Sequence, residues 1–175
     1  PEILIVDPEG HRKVPRDLRA QSIISPCLHQ PSTMEGAGEY IRCAAEHYRD
    51  RPNLMAWDIW NEYWMQDCYC DEAQKAWQMW LENRYGTVES VEQSWKRDIW
   101  SFESTQLPDQ RLRKGMLPTV PAEMLDTFRF RRHKKIDQTR WRAELLREAG
   151  IKAPIIPHFA GEVIWGAADH VDIWG

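Results

Sequence analysis

Apolar positions along the chain switch between helical and strand-like spacing. From Ser32, a possible cap with Glu35 three residues on, the residues Tyr40, Ile41, Ala44, Ala45 and Tyr48 recur at helical intervals. The run stops at Arg49-Asp50-Arg51-Pro52, a turn with a proline breaker. Leu54 to Trp60 is short and almost continuously apolar, as expected of a strand covered on both faces in a parallel sheet. Asp71 to Tyr85 predicts a helix with Ala73, Ala76, Trp77, Trp80 and Leu81 on one face and Gly86 closing it. Val88 to Trp100 predicts a shorter helix, Thr105 to Pro121 a proline-rich connection, and Ala122 to Ala149 one long helix ended by Gly150. Pro154 to Phe159 and Val171 to Trp174 read as two further short buried strands, with a partly helical stretch between them. Pro1 to Pro31, rich in Pro, Gly and charge, reads as a long ordered loop. Strands alternating with helices in this order belong to an α/β protein with a parallel sheet.

Composition narrows the classes. The 175 residues suit one domain, and a net charge of −4 is too small to argue for nucleic acid or a membrane surface as partner. The basic run Arg129 to Lys135 has acidic residues interleaved nearby and is expected to be a solvated helix face. No apolar run reaches the roughly 18 residues of a spanning helix, so no membrane association is expected. Ten tryptophans are the outstanding feature. Large core residues account for them first; a saccharide cleft, where indoles stack on sugar rings, is the alternative. Four cysteines, Cys27, Cys43, Cys68 and Cys70, do not form a secreted disulfide framework, so a reducing, cytoplasmic compartment of bacterial type is expected. Cys43, on the first helix, is expected to be a small core residue.

The chemistry concentrates at Trp57-Asp58-Ile59-Trp60-Asn61-Glu62-Tyr63. A buried strand ends there and is followed at once by an amide and a carboxylic acid. Strand C-termini are where a (β/α)8 barrel carries catalytic groups. Cleaving a glycosidic bond needs an acid to protonate the leaving oxygen, and a neighbouring amide can bond the sugar 2-hydroxyl more strongly in the transition state. The segment resembles the acid/base strand, the fourth, of the (β/α)8 retaining glycosidases. Flanking features follow in a consistent order: Pro1-Glu2-Ile3-Leu4 with Asp7 and Gly10, Cys27 four residues before Pro31, and Tyr48 to Leu54. After the pair come Cys68-Tyr69-Cys70, Trp80-Leu81, Tyr85-Gly86, Trp95, Trp100-Ser101 and Phe128-Arg129-Phe130. Together they resemble glycoside hydrolase family 42, the β-galactosidases, along nearly the whole chain.

That resemblance implies a retaining mechanism on a β-galactoside, with Glu62 as general acid then general base and Asn61 contacting the sugar. It places His158 where the family usually carries an asparagine facing the substrate, so His158 becomes a candidate substrate contact. It also implies a structural zinc held by one early cysteine and a Cys-x-Cys-x-x-Cys loop; Cys27, Cys68 and Cys70 take three of those positions and Ala73 the fourth. Asp71, Glu72, His29 or water then remain as candidates for completing it. Residues 1–175 are expected to be a fragment of a single (β/α)8 catalytic domain, roughly strands four to six with their helices. The family's nucleophilic glutamate, on the seventh strand, falls outside the fragment, which alone is expected to be inactive; the full-length protein is a candidate homo-oligomer. Alternatives are another glycosidase of the same clan, or a non-catalytic carbohydrate-binding or zinc-stapled barrel protein.

Overall fold

A computed structural model describes Val6, Gly10 and residues 27–60, 68–108, 121–158 and 165–174. Most of the expected N-terminal loop and of the 105–121 connection lies outside the described residues. The chain divides into two compact units, residues 34–65 with 131–175 and residues 1–33 with 66–130.

In the first unit lie most of helix α1 (Pro31–Tyr48), strand β1 (Trp57–Trp60), most of helix α4 (Pro121–Glu148) and strand β2 (Ile155–Pro157). Pro31 opens α1, where its missing N–H costs nothing. Ile41 and Ala45 face a core completed by Ile59, Ala143, Leu145, Leu146, Ile151 and Ile155. Burying these side chains stabilises by roughly 1.5–3 kcal/mol for each large one. Gly38 lets the helix approach closely, since an added Cβ would lie 3.3 Å from the Trp141 ring. Tyr40 and Tyr48, expected on the buried stripe, are 75% and 49% exposed, and Cys43, expected in the core, is exposed. The buried stripe is narrower than the run of apolar letters: Ile41 and Ala45, one helical turn apart, carry it.

The two strands pair in parallel, with Trp57 opposite Ile155, Asp58 opposite Ile156 and Trp60 opposite Pro157. Both are shorter than expected, and of β1 only Ile59 is buried; Asp58 is exposed and Met55 is 87% exposed. The expected strand at 171–174 is not one. The N–H groups of Asp172 and Ile173 both donate to the Ile155 carbonyl, at 3.0 and 3.2 Å, and the Asp172 carboxylate accepts from Ile155 N–H at 2.8 Å. Converging on one residue, those bonds replace a ladder that would need successive partners. Arg147 binds the same carboxylate and the carbonyls of Ile151 and Ala153, at 2.7 and 2.9 Å, which fixes the turn after α4. Among the described residues the sheet has two strands rather than the three expected. Between 165 and 170 the chain forms a 3₁₀ helix, in keeping with the partly helical stretch expected there.

The second unit holds helices α2 (Asp71–Tyr85) and α3 (Val88–Trp95), a 3₁₀ turn at Phe102–Ser104 and the first turns of α4. Helix α2 has the bounds expected and ends on Gly86, whose φ of 76° suits a residue without Cβ. Helix α3 is capped by the Thr87 hydroxyl on Ser90 N–H and stops five residues early, where Lys96 turns left-handed. The core is aromatic. Trp77 is fully buried, stacked at 5.6 Å on Trp80 and 6.1 Å on Trp95, with Phe130 edge-on at 5.4 Å. Beside it the buried Asp126 carboxylate accepts from Trp95 Nε1 at 2.8 Å, Tyr85 OH, Arg84 and Arg129. A buried carboxylate is tolerable only with such pairing.

The basic run is not wholly solvated: Phe130 and Lys135 are buried, while Arg132 and His133 face water. Among the described residues no helix is long and apolar enough to cross a membrane.

Trp77→Ala is expected to cost about 3–5 kcal/mol, from lost transfer energy and the cavity left behind. Trp100→Ala, at a ring 95% exposed, should change stability by less than about 0.5 kcal/mol. Denaturant midpoints of the two variants check the contrast; similar losses would mean the aromatic cluster is not the core.

Candidate active-site strand end and metal centre

Parallel pairing brings the C-terminal ends of β1 and β2 together, and His158 N–H donates to the Trp60 carbonyl at 3.2 Å. His158 is half-buried. Asn61 and Glu62 follow Trp60 directly in the sequence and lie outside the described residues. The two strand-end tryptophans are packing residues. Trp57 meets Tyr48 edge-on at 6.3 Å, and the Arg142 guanidinium lies 3.8 Å from the Trp60 ring centroid. That cation covers one indole face a sugar would otherwise stack on.

Cys27, Cys68 and Cys70 form a second group, with their sulfurs all within 4.8 Å of one another and Cys27 and Cys70 3.5 Å apart. The residues are 1%, 3% and 9% exposed and share a cluster with Ala73, which is fully buried. Val6 N–H donates to Cys68 Sγ at 3.3 Å. Gln30 adds its side-chain amide to Cys70 Sγ at 3.6 Å. The local chain explains this. Val6 pairs with Tyr69 through Tyr69 N–H at 2.9 Å, and Cys70 stands at the start of α2, where helix N–H groups point outward.

Hydrogen bonds from Cys27 and Cys68 hold the Cys70 thiol far below its ordinary value, against the effect of burial. Cys27 is pushed up by its bonds to Cys68 and Cys70 and by burial. At Cys68 the bond to Cys27 lowers the value, but Cys70 and burial together leave it raised.

Such a group can hold a metal ion. Tetrahedral zinc with bonds of about 2.3 Å spaces its sulfurs by about 3.8 Å, a spacing compatible with three corners here. The fourth is different. Ala73 supplies no donor, and the chain's remaining cysteine, Cys43, is exposed on α1. Of the candidate substitutes, the His29 ring stacks on Phe130 at 6.2 Å, Glu72 pairs with Lys75 at 2.8 Å, and neither these nor Asp71 join the group. A four-cysteine zinc site does not fit this chain. Gln30 and the Val6 N–H escaped sequence reasoning; Gln30, three residues after Cys27, carries no ligand-type signal.

The chain matches the family model described as beta-galactosidase over residues 1–174. It is 29% identical over 170 residues to the β-galactosidase LacZ of Heyndrickxia coagulans, covering 92% of this chain and 24% of that protein. A β-galactosidase of Thermus thermophilus is 32% identical over 155 residues, covering 84% and 23% respectively. Among solved structures, a β-galactosidase from Halorubrum lacusprofundi superposes with a TM-score of 0.82 at 22% identity, over 99% of this chain and 26% of that one. The Bacillus circulans enzyme gives 0.80 at 21%, over 99% and 26%. These structures are (β/α)8 barrels, and the likeness shows the fold. The chain spans about a quarter of the length of the relatives it matches.

Reduced and metal-free, the chain should be most stable near the ordinary thiol pKa of about 8.5. The depressed Cys70 value contributes stability that is complete above that pH and is lost as pH falls toward its folded value. Cys27 and Cys68, both raised, stay neutral below it and must ionise against burial above it, so stability falls there too. Denaturant unfolding from roughly pH 6 to 10 reads both limbs. Cys70→Ser should flatten the acid limb; a pH-independent profile for the unsubstituted chain would contradict the assignment.

Proposed function

The chain belongs to glycoside hydrolase family 42, the β-galactosidases, and on that premise we propose that the whole protein is a retaining β-galactosidase with Glu62 as its acid/base residue. The observation that carries the reading is the parallel β1–β2 pair, whose aligned C-terminal ends lead directly into Asn61-Glu62 and His158. In a (β/α)8 barrel this is the end where chemistry is done. The two strands correspond, on this reading, to the fourth and fifth of the barrel.

Glu62 protonates the glycosidic oxygen as the bond to the anomeric carbon breaks, and a second carboxylate forms the covalent galactosyl intermediate. Glu62, now ionised, takes a proton from the water that releases galactose. Asn61 bonds the sugar 2-hydroxyl, and His158 contacts the substrate from the neighbouring strand end. The nucleophile is supplied by the three-quarters of the family's length that this chain does not span, so the 175-residue chain alone does not turn over galactosides. The full-length protein is the form in which any oligomer would assemble.

Glu62→Gln in the full-length protein is expected to lower kcat on an alkyl β-galactoside, whose poor leaving group needs the proton, by roughly 10²–10⁴. The loss on a nitrophenyl galactoside should be smaller for the bond-breaking step, and azide should restore turnover by attacking the intermediate without a base. A loss below tenfold on the alkyl substrate, with no azide effect, would falsify the role given to Glu62.

A further inference from the structure

We infer that Asp58 is a positioning residue for the acid/base glutamate, acting through Trp60, from which the chain passes into Asn61-Glu62. The inference rests on reading Glu62 as the acid/base residue and deepens that reading. It starts from an irregularity in the strand pair. Asp58 lies opposite Ile156 and Trp60 opposite Pro157, so β1 uses three residues where β2 uses two. Ile59 is the extra residue of a β-bulge, which interrupts the ladder and can re-aim a side chain beside an active site.

Beyond the bulge, Trp60 is held by a hydrogen bond on each side of its Cα. On the N-terminal side its N–H donates to Asp58 Oδ1 at 3.0 Å. On the C-terminal side its carbonyl accepts from His158 N–H at 3.2 Å. Together the two bonds fix φ and ψ of Trp60, the soft dihedrals that aim the chain beyond it. The Arg142 guanidinium, 3.8 Å from the ring centroid, holds the side chain of the same residue. Asp58 makes its bond locally, from a side-chain oxygen to the N–H two residues on. Aspartate and asparagine favour that closure, and serine makes it more weakly. Glu62 is the second residue after Trp60, so a rotation of the peptide before Trp60 is carried into it. A general acid must lie within hydrogen-bond reach of the oxygen it protonates, and a displacement of about 1 Å can cost about 10²-fold in rate.

The test is a graded series in the full-length protein. Asp58→Ala is expected to lower kcat on an alkyl β-galactoside by roughly 10–10²-fold with KM little changed. The loss on a nitrophenyl galactoside should be much smaller, because that leaving group needs the proton less. Asp58→Asn keeps the acceptor oxygen and should restore most of kcat, with Asp58→Ser between the two. Added to Glu62→Gln, Asp58→Ala should cost little more, since no acid is left to position. Equal losses on both substrates, an Asn variant as poor as the Ala variant, or losses that multiply with Glu62→Gln would overturn the inference. Should Asp58→Ala fail to fold, the Ser variant carries the same comparison, and an undiminished kcat there on the alkyl substrate overturns it too. If Glu62→Gln lowers kcat as expected while the Asp58 series does nothing, the positioning role falls and Glu62 keeps its own. If Glu62→Gln itself has no effect, the underlying reading falls and takes this one with it.

Discussion

Pairing of two very short strands is the constraint on which the rest depends. Four residues of β1 and three of β2 make few ladder bonds, each worth about 1 kcal/mol net, so the pair cannot stand alone. It is held from behind by the α1 and α4 residues around Ile59 and Ile155, and from the side by Asp172. Arg147 ties that aspartate to the end of α4, so helix, turn and strand share one hydrogen-bonded network. The functional reading follows from this register. A one-residue slip would exchange the faces of every side chain on β2 and shift His158 relative to Trp60.

How far the sequence disclosed this depended on the kind of signal. Helix α2 was legible to the residue, because an apolar stripe and a closing glycine agreed. Helix α3 was over-extended since nothing in the letters Lys96-Arg97 announces a left-handed residue. The apolar run at 171–174 read as a strand because short apolar runs are ambiguous, and only the carboxylate of Asp172, binding Ile155 and Arg147, decides its conformation. Tryptophans divided in a way that composition could not foresee: Trp77 and Trp95 are core, while Trp100 is almost wholly exposed.

Legibility of the candidate sites differed for a related reason. Asn61-Glu62 is local, a dipeptide whose meaning comes from the strand before it, so the sequence suffices to nominate it. The cysteine trio is non-local: 41 positions separate Cys27 from Cys68, and their nearness is a property of the fold. Spacing within Cys68-Tyr69-Cys70 suggested ligands only alongside the family resemblance. The bonds that lower Cys70 come first from Cys27 and Cys68, and the other donors to the group, Val6 N–H and the Gln30 amide, are ones no residue pattern encodes.

Two buried anionic centres in the same unit show how burial can serve different ends. Asp126 is satisfied by Trp95, Tyr85 and two arginines, so its charge is cancelled by cations and its oxygens are spoken for. Removing both arginines would leave the buried charge without a counter-ion, which is the behaviour of a structural pin. The thiols are treated otherwise. Neutral N–H groups serve their sulfurs from outside, while the sulfurs themselves lie close enough to share one small guest. Dipoles offset negative charge without consuming the lone pairs that face inward. A carboxylate closed off by cations has finished its interactions, whereas three sulfurs within 4.8 Å of one another form a group that could hold a metal ion.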